Sequence, residues 1–392
     1  MDLVELKNAR LKAFNDALSF VEHPKKTPHV SFFVTWKILD YGCRLSEALM
    51  DYDLMKKVVK TFQEKYNFDG MVEYGNRNQF RVSEHMGGSL YKVDDEQEAL
   101  NYIDMAVCEA DELAEYAADP DKFTWEKIVS RKYPYWKEEG VTVDFMNKLN
   151  EEVMGFLNFN SQIMDEMELE YGVPKLWEFR GGMTTLGPEF VFQGLRGIKG
   201  FSLDMRRNKS ALHDAIQAYE ALSLDPVLSA MDAAEKGHSK TAVFDGDLTM
   251  LAHTVMNPKQ FDEFYWPSLK KELDIVQSHN WTIRIFTEGY GQIAWDHFNE
   301  YRKGTICDHV EHDDVYDLRK NCPGVVVMGG MHSHLLGNGT AEECVNEARS
   351  LLDTIGDEGG FILTQNMLGS YRNDGKAENI KAVCDFVNSY ER

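Results

Sequence analysis

Three potential metal ligands recur at regular intervals in the last third of the chain. Glu288, Glu311 and His332 each follow a short apolar run typical of a buried strand, at 281–286, 304–308 and 325–328. Twenty-two residues lie between the first pair and twenty between the second, about one strand–helix repeat each. If these strands are parallel neighbours, the three side chains emerge at one rim. Two carboxylates and an imidazole are competent zinc ligands, and they leave a fourth position for substrate.

Each of the three also has an ordinary structural explanation. A carboxylate at a strand-to-helix junction often caps a helix or lies in a solvated loop, and a single loop histidine is often only hydrogen-bonded. The joint pattern on three consecutive strand ends favours a metal site. Other candidates lie close enough in sequence to replace a ligand or to orient one, namely His309, His312, Asp313 and His334. Hard oxygen donors suit a metal that polarises a substrate oxygen.

The elements that would position these residues alternate along most of the chain. Apolar patterns predict strands near residues 30, 68, 176, 242, 283, 305, 326 and 361, with helical patterns between them. Eight such units favour a closed (β/α)8 TIM barrel over an open doubly wound sheet. The alternation stops between about 76 and 174, where the sequence is acidic and helix-rich. We therefore predict one barrel domain over residues 1–392 with a helical insertion there, and a separate domain is the alternative.

Composition excludes several function classes. The formal charge of −23 over 392 residues opposes nucleic-acid binding. The absence of a long apolar run predicts no membrane association and a cytoplasmic location. Six scattered cysteines without a CxxC motif indicate reduced thiols. No glycine-rich nucleotide-binding motif follows the first strand. The acidic run at 94–121 is read as a solvated helix face, with a docking face for a basic partner as the alternative.

An ordered set of segments carries a family resemblance over about residues 28–390. The set consists of 49–70 with its ending KYNFDG, Gly187-Pro188, NPKQFDEF at 257–264, Gly329-Gly330 with 336–343, and GGFILT at 359–364. In this order the segments resemble the uroporphyrinogen decarboxylase superfamily, which includes corrinoid-dependent methyltransferases. The resemblance implies a (β/α)8 barrel, in agreement with the strand count.

This sequence lacks the characteristic motifs of two branches of that superfamily. Porphyrinogen decarboxylases carry an arginine-rich segment near the N-terminus, and residues 20–50 contain nothing similar. Thiol methyltransferases carry His-x-Cys after strand five and a later cysteine after strand eight. Here the first motif reads Phe-Thr-Glu288 and the last reads Gln-Asn-Met367. The chain is more similar to the ether-cleaving branch, the first methyltransferase of O-demethylase systems of the vanillate or veratrol type.

This resemblance implies transfer of a methyl group from a methoxylated aromatic substrate to the Co(I) corrinoid of a separate carrier protein. It implies Zn²⁺ held by Glu288, Glu311 and His332. A neighbouring His309, His312 or Asp313 would protonate the product or fix the ligands. Further pocket candidates, each with a structural alternative, are Trp36, Tyr290, Arg180 and Asp245. Two other functions stay open: a decarboxylase or lyase that needs no corrinoid, and a non-catalytic barrel that binds an aromatic ligand.

Overall fold

Eight parallel strand positions form the framework of the protein. The computed structural model describes residues 2–74, 79–88, 90–138, 140–177, 184–234 and 242–390. The strands are β1 (Val30–Ser31), β2 (Gly70–Met71), β3 (Lys175–Trp177), β4 in two segments (Ala242–Phe244 and Gly246–Met250), β5 (Ile283–Thr287), β6 (Ile306–Val310), β7 (Val326–Met331) and β8 (Phe361–Gln365). All eight lie where the apolar patterns predict them. The fourth strand is longer than predicted, because it resumes after Asp245 and continues to Met250.

The strands close into a (β/α)8 barrel, as predicted. Strands β4 to β8 form a continuous parallel sheet in chain order, and the pairs β1–β2 and β3–β4 are also parallel. A parallel bridge from His29 to Leu363 joins β8 to β1. Strand β2 lies closely against β3, where a side chain on Gly70 would come within 2.8 Å of Leu176 Cδ2. Glycine therefore permits the approach of these two strands.

Helices fill the connections between the strands. After β1 come Trp36–Tyr41, Leu45–Met50 and Tyr52–Tyr66; after β3, Gly187–Phe190, Val191–Arg196, Gly197–Arg207, Lys209–Tyr219, Glu220–Leu224 and Asp225–Asp232. After β4 come Ala252–Val255, Pro258–Gln260, Phe261–Tyr265 and Trp266–Ser278; after β5, Gln292–Ala294 and Trp295–Phe298; after β6, Val315–Asn321. After β7 come Ser333–Asn338 and Ala341–Asp353, and after β8, Arg372–Asp374 and Ala377–Ser389. In the described part of the chain, no helix has the length and apolar character that crossing a bilayer requires.

The long connection between β2 and β3 is mainly helical. Its helices are Phe80–Met86, Ala110–Glu112, Leu113–Ala118, Pro120–Phe123, Thr124–Ile128, Val129–Lys132, Pro134–Glu138 and the 29-residue Val143–Tyr171. It also contains an antiparallel hairpin, Tyr91–Asp94 with Ala99–Tyr102, which the helical patterns do not predict. The assignment of the whole chain to one domain stays a prediction.

The hydrophobic core has two layers. The inner layer fills the barrel with side chains such as Val30, Phe32, Phe286 and Met328, and it includes Phe14 of the N-terminal helix Leu3–Leu18. The outer layer lies between the strands and the surrounding helices. Because apolar burial drives folding, the alternation of inner and outer residues along each strand fixes which side chains face the barrel interior.

Candidate active site

Side chains from non-neighbouring strands touch inside the barrel, and this contact identifies the inward-facing positions. The Phe32 ring, on the chain just after β1, lies 4.8 Å from the Phe286 ring of β5 and 4.5 Å from the His309 ring of β6. Alternation along β5 and β6 then makes Glu288 and Glu311 the next inward positions towards the carboxyl-terminal rim. The register pairs Phe286 with His309, so Glu288 and Glu311 lie level with each other.

The loops that carry the two glutamates are tied together. Glu311 N donates to Thr287 O at 3.2 Å, and Glu288 N donates to Met250 O at 3.0 Å. Glu311 Oε2 accepts a hydrogen bond of 2.6 Å from Gly289 N. Both glutamates are half-buried. The rim therefore holds two carboxylates on adjacent strands at the same height, as the spacing predicts.

His332 lies farther out along its strand. Met328 pairs with His309, so Gly330 is level with Glu311 and His332 lies two residues beyond it. At about 3.3 Å per residue, the two residues correspond to roughly 6–7 Å along the strand direction. His332 is exposed and precedes the helix Ser333–Asn338 without a capping bond from its side chain. It therefore shares the rim with the two glutamates but is displaced towards solvent.

The donor types fit a zinc-like ion, but this arrangement does not gather them into a metal centre. Within the described ranges, no three His, Cys, Asp or Glu side chains are grouped closely enough to hold a metal ion. The imidazole nearest Glu311 is that of His312, whose Nδ1 is 3.0 Å from Glu311 Oε2. The assignment of Glu288, Glu311 and His332 as metal ligands stays a prediction.

His309 differs from the other predicted acid–base residues because it is fully enclosed. Its Nε2 donates to Gln365 O at 2.8 Å, so its Nδ1 accepts from Arg284 Nη2 at 3.1 Å. Burial, and then the charge of Arg284, holds the pKa of His309 well below its usual range. This histidine is therefore a neutral imidazole with both nitrogens occupied, and a direct proton-transfer role finds no support in its surroundings.

His312 and Asp313 lie in the loop after β6. His312 is exposed, and its ring lies 5.5 Å from the ring of Tyr290. Asp313 is buried and accepts from Gly291 N, and burial raises its pKa. Of these two, His312 is the one in contact with solvent and beside Glu311, so it is the better-placed proton donor.

The residues predicted to line the pocket lie in different parts of the molecule. Tyr290 lies at the rim and is 64% exposed. Trp36 instead belongs to the hydrophobic core: it packs against Phe33 and Tyr66, and its Nε1 donates to Gly375 O at 3.0 Å. Arg180 lies outside the described residues.

A place for Asp245 in a pocket at the rim requires strand four to end at Phe244, and the structure shows that this is wrong. The strand continues past it to Met250, and Asp245 Oδ2 accepts from Thr282 N, before the start of β5. Asp245 therefore lies near the amino-terminal end of the barrel, away from Glu288. Sequence patterns placed it wrongly because Asp245 interrupts the strand.

Below the rim, the structure contains a buried polar chain that the sequence patterns do not predict. Arg284 of β5 forms an ion pair with Asp247 of β4 and contacts His309 of β6, and all three side chains are buried. The guanidinium also lies 5.6 Å from the centre of the Phe32 ring. The one signal in the sequence was an arginine within the apolar run of β5. These contacts hold the His309 side chain in place and form the layer of side chains beneath Glu288 and Glu311.

Comparison with known proteins agrees with this architecture. The family model described as uroporphyrinogen decarboxylase (URO-D) matches residues 182–390. That match spans more than half of the chain, and the protein therefore belongs to the uroporphyrinogen decarboxylase family. Among solved structures, it is similar to a methyltransferase from Methanosarcina mazei, with a TM-score of 0.60 and 14% identity. The similarity covers 96% of this chain and 98% of the other. No curated protein sequence matches the chain.

Proposed function

We propose that this protein is a methyltransferase that demethylates methoxylated aromatic compounds and passes the methyl group to the Co(I) corrinoid of a carrier protein. The observation that carries the proposal is the pair Glu288 and Glu311, level on adjacent strands and inward-facing at the active rim of a barrel of this family. Catalytic groups of such barrels lie at the carboxyl-terminal ends of the strands. The methyltransferase from Methanosarcina mazei, which shares the fold, supports the class of reaction.

The proposed metal ligands are Glu288, Glu311 and His332. A bound divalent metal would act as a Lewis acid on the ether oxygen and make the phenolate a better leaving group. Because His312 already contacts Glu311, it is the alternative imidazole for this site. Both glutamates are half-buried, and partial exclusion of water strengthens their attraction for a cation.

The proposed proton donor is His312. It is exposed at the rim and lies beside Glu311 Oε2, so it can exchange protons with solvent and deliver one to the departing phenolate. Tyr290, whose ring neighbours that of His312, supplies an aromatic surface at the rim for the substrate ring.

A direct test combines the purified protein with a reduced corrinoid carrier protein and a panel of methoxylated aromatics that includes vanillate and veratrole. The expected result is loss of the Co(I) absorption together with formation of the demethylated phenol. Glu288→Gln should abolish both, and a substitution on the exposed outer surface, Lys270→Ala, should leave both unchanged. Absence of methyl transfer from every donor would contradict the proposal. Release of CO₂ from a carboxylated substrate without methyl transfer would instead favour the decarboxylase alternative.

A further inference from the structure

The loop after β5 holds an exposed tyrosine between two glycines. Tyr290 is 64% exposed, and Gly289 and Gly291 flank it. Gly289 has φ of 68°, a conformation that favours glycine. At Gly291 an added Cβ would lie 2.5 Å from Thr287 Cγ2, so the loop folds back against the last residue of β5. Both glycines are therefore needed for the path that the chain takes around Tyr290.

Three consecutive residues of the loop after β6 bind this loop through its backbone. Gly289 N donates to Glu311 Oε2 at 2.6 Å, and His312 N donates to Gly289 O at 3.1 Å. Asp313 Oδ2 accepts from Gly291 N at 2.5 Å. The amide of each glycine beside the tyrosine thus donates to a carboxyl oxygen of the neighbouring loop. The backbone on either side of the tyrosine is therefore held in place, although the side chain is mostly exposed.

Asp313 differs from its loop neighbours in its exposure. Its side chain is buried, whereas His312 and Tyr290 are exposed. It therefore contacts the tyrosine loop and not solvent, and its effect on a ligand passes through Tyr290. The Tyr290 ring lies 5.5 Å from that of His312, the proposed proton donor. A ring on a fixed backbone gives a large contact surface that loses little conformational freedom on binding.

We propose that Asp313 is a positioning residue that holds the Tyr290 ring as a fixed stacking surface at the rim, and that this surface sets the selectivity for aromatic over saturated methyl donors. Asp313 then acts by accepting the Gly291 amide and transfers no proton. The inference rests on the proposed function for the class of substrate. Binding and hydrogen exchange test it without turnover, so its failure and that of the proposed function are distinguishable.

The binding arm compares veratrole with the saturated ether methoxycyclohexane by isothermal titration calorimetry. Loss of one stacking contact corresponds to a loss of affinity of about twofold to tenfold, and Tyr290→Ala should weaken veratrole binding by that factor. Asp313→Ala should weaken it similarly, whereas Asp313→Asn, which keeps an oxygen acceptor for Gly291 N, should retain it. Both alanine variants should affect methoxycyclohexane less. Because Asp313 acts through Tyr290, the double alanine variant should bind veratrole no more weakly than Tyr290→Ala.

The next residue supplies the matched control. Asp314 is also an aspartate that accepts a backbone amide, but its Oδ1 accepts from Tyr316 N at 2.8 Å, within its own helix. Asp314→Ala should therefore leave veratrole affinity unchanged. In the substrate-free protein, Asp313→Ala should speed hydrogen exchange of the peptide 287–294 by about fivefold or more, because the Gly291 amide loses its acceptor. Asp313→Asn should leave this exchange unchanged.

Several results would overturn the positioning role. These are unchanged veratrole affinity in Asp313→Ala, an equal loss in Asp313→Asn or Asp314→Ala, additive losses in the double variant, and a native protein that does not bind veratrole. Binding that depends on Tyr290 and Asp313 without methyl transfer would support the inference and contradict the proposed function. Methyl transfer from veratrole with native rate and KM in Asp313→Ala would support the proposed function and overturn the inference.

Discussion

Replacing Asp247 by asparagine would leave the Arg284 guanidinium charged and without its carboxylate partner inside the barrel. Both side chains are almost completely buried, at 5% and 2% exposure, and they form a direct ion pair between β4 and β5. Removing one partner of a buried pair typically costs about 3–5 kcal/mol, because the remaining charge stays desolvated. The ratio of folded to unfolded protein would fall by a factor of about 10²–10⁴. We expect the urea midpoint of Asp247→Asn at pH 7, followed by tryptophan fluorescence, to fall markedly.

The double variant Asp247→Asn with Arg284→Met is the matched control. It removes the unpaired charge and keeps a side chain of similar length, and replacing both members of a buried pair by uncharged groups is often close to neutral. It should therefore recover most of the lost stability. A loss below about 1 kcal/mol in the single variant, within the range of a surface pair, or no recovery in the double variant, would refute the reasoning.

Three further predictions concern the same framework. Burial raises the pKa of Glu272 to about 7 from 4.5. Because the folded state prefers the neutral acid, the contribution of Glu272 to folding stability is present below about pH 4.5 and is lost as the pH rises through about 7. Thermal melts at pH 5 and pH 8 should therefore show a larger pH-dependent loss in the native protein than in Glu272→Gln, by as much as about 3 kcal/mol, and identical losses would contradict this. Gly330→Ala should lower stability by about 1–3 kcal/mol, since Gly330 has φ of 102° and an added Cβ would lie 2.7 Å from Leu351 Cδ1; an unchanged urea midpoint would show that the backbone relaxes. Metal analysis of His332→Ala and His312→Ala should show loss of zinc in the first and retention in the second, and the opposite result would exchange the assigned ligand.

The barrel was predictable because its signals are local. Each strand is a short apolar run, and each helix has its own periodicity, so all eight strand positions were recovered from the sequence. The heights of Glu288 and Glu311 also followed from their distances to the ends of β5 and β6. Errors occurred where local pattern was interrupted, as at Asp245 within β4. The polar hairpin was missed for a similar reason, since the run between Asp94 and Ala99 reads as part of an acidic helical segment.

The surroundings of individual side chains depended on contacts between distant parts of the chain. The sequence makes His309 a candidate for acid–base chemistry, but Arg284 and Gln365, from two other strands, occupy both of its nitrogens. Trp36 was placed near a pocket, and long-range packing buries it against Tyr66. Such pairings have no counterpart in local spacing.

The displacement of His332 beyond the two glutamates is a consequence of strand register. The sequence spacing alone places all three ligands at one height on the rim. In the structure, the residue of β7 at the height of Glu288 and Glu311 is Gly330. The positions of Glu288 and Glu311 are set by β5 and β6 alone and do not depend on β7. The proposed function therefore depends most on these two glutamates.

The most direct measurement is methyl transfer to a reduced corrinoid carrier by the native protein, by Glu288→Gln and by Glu311→Gln, with zinc determined in each preparation. We expect stoichiometric zinc and conversion of a methoxylated aromatic in the native protein, and loss of both in the two variants with an unchanged circular dichroism spectrum. Native-level zinc and methyl transfer in either variant, or a native protein that is metal-free and transfers no methyl group, would contradict it.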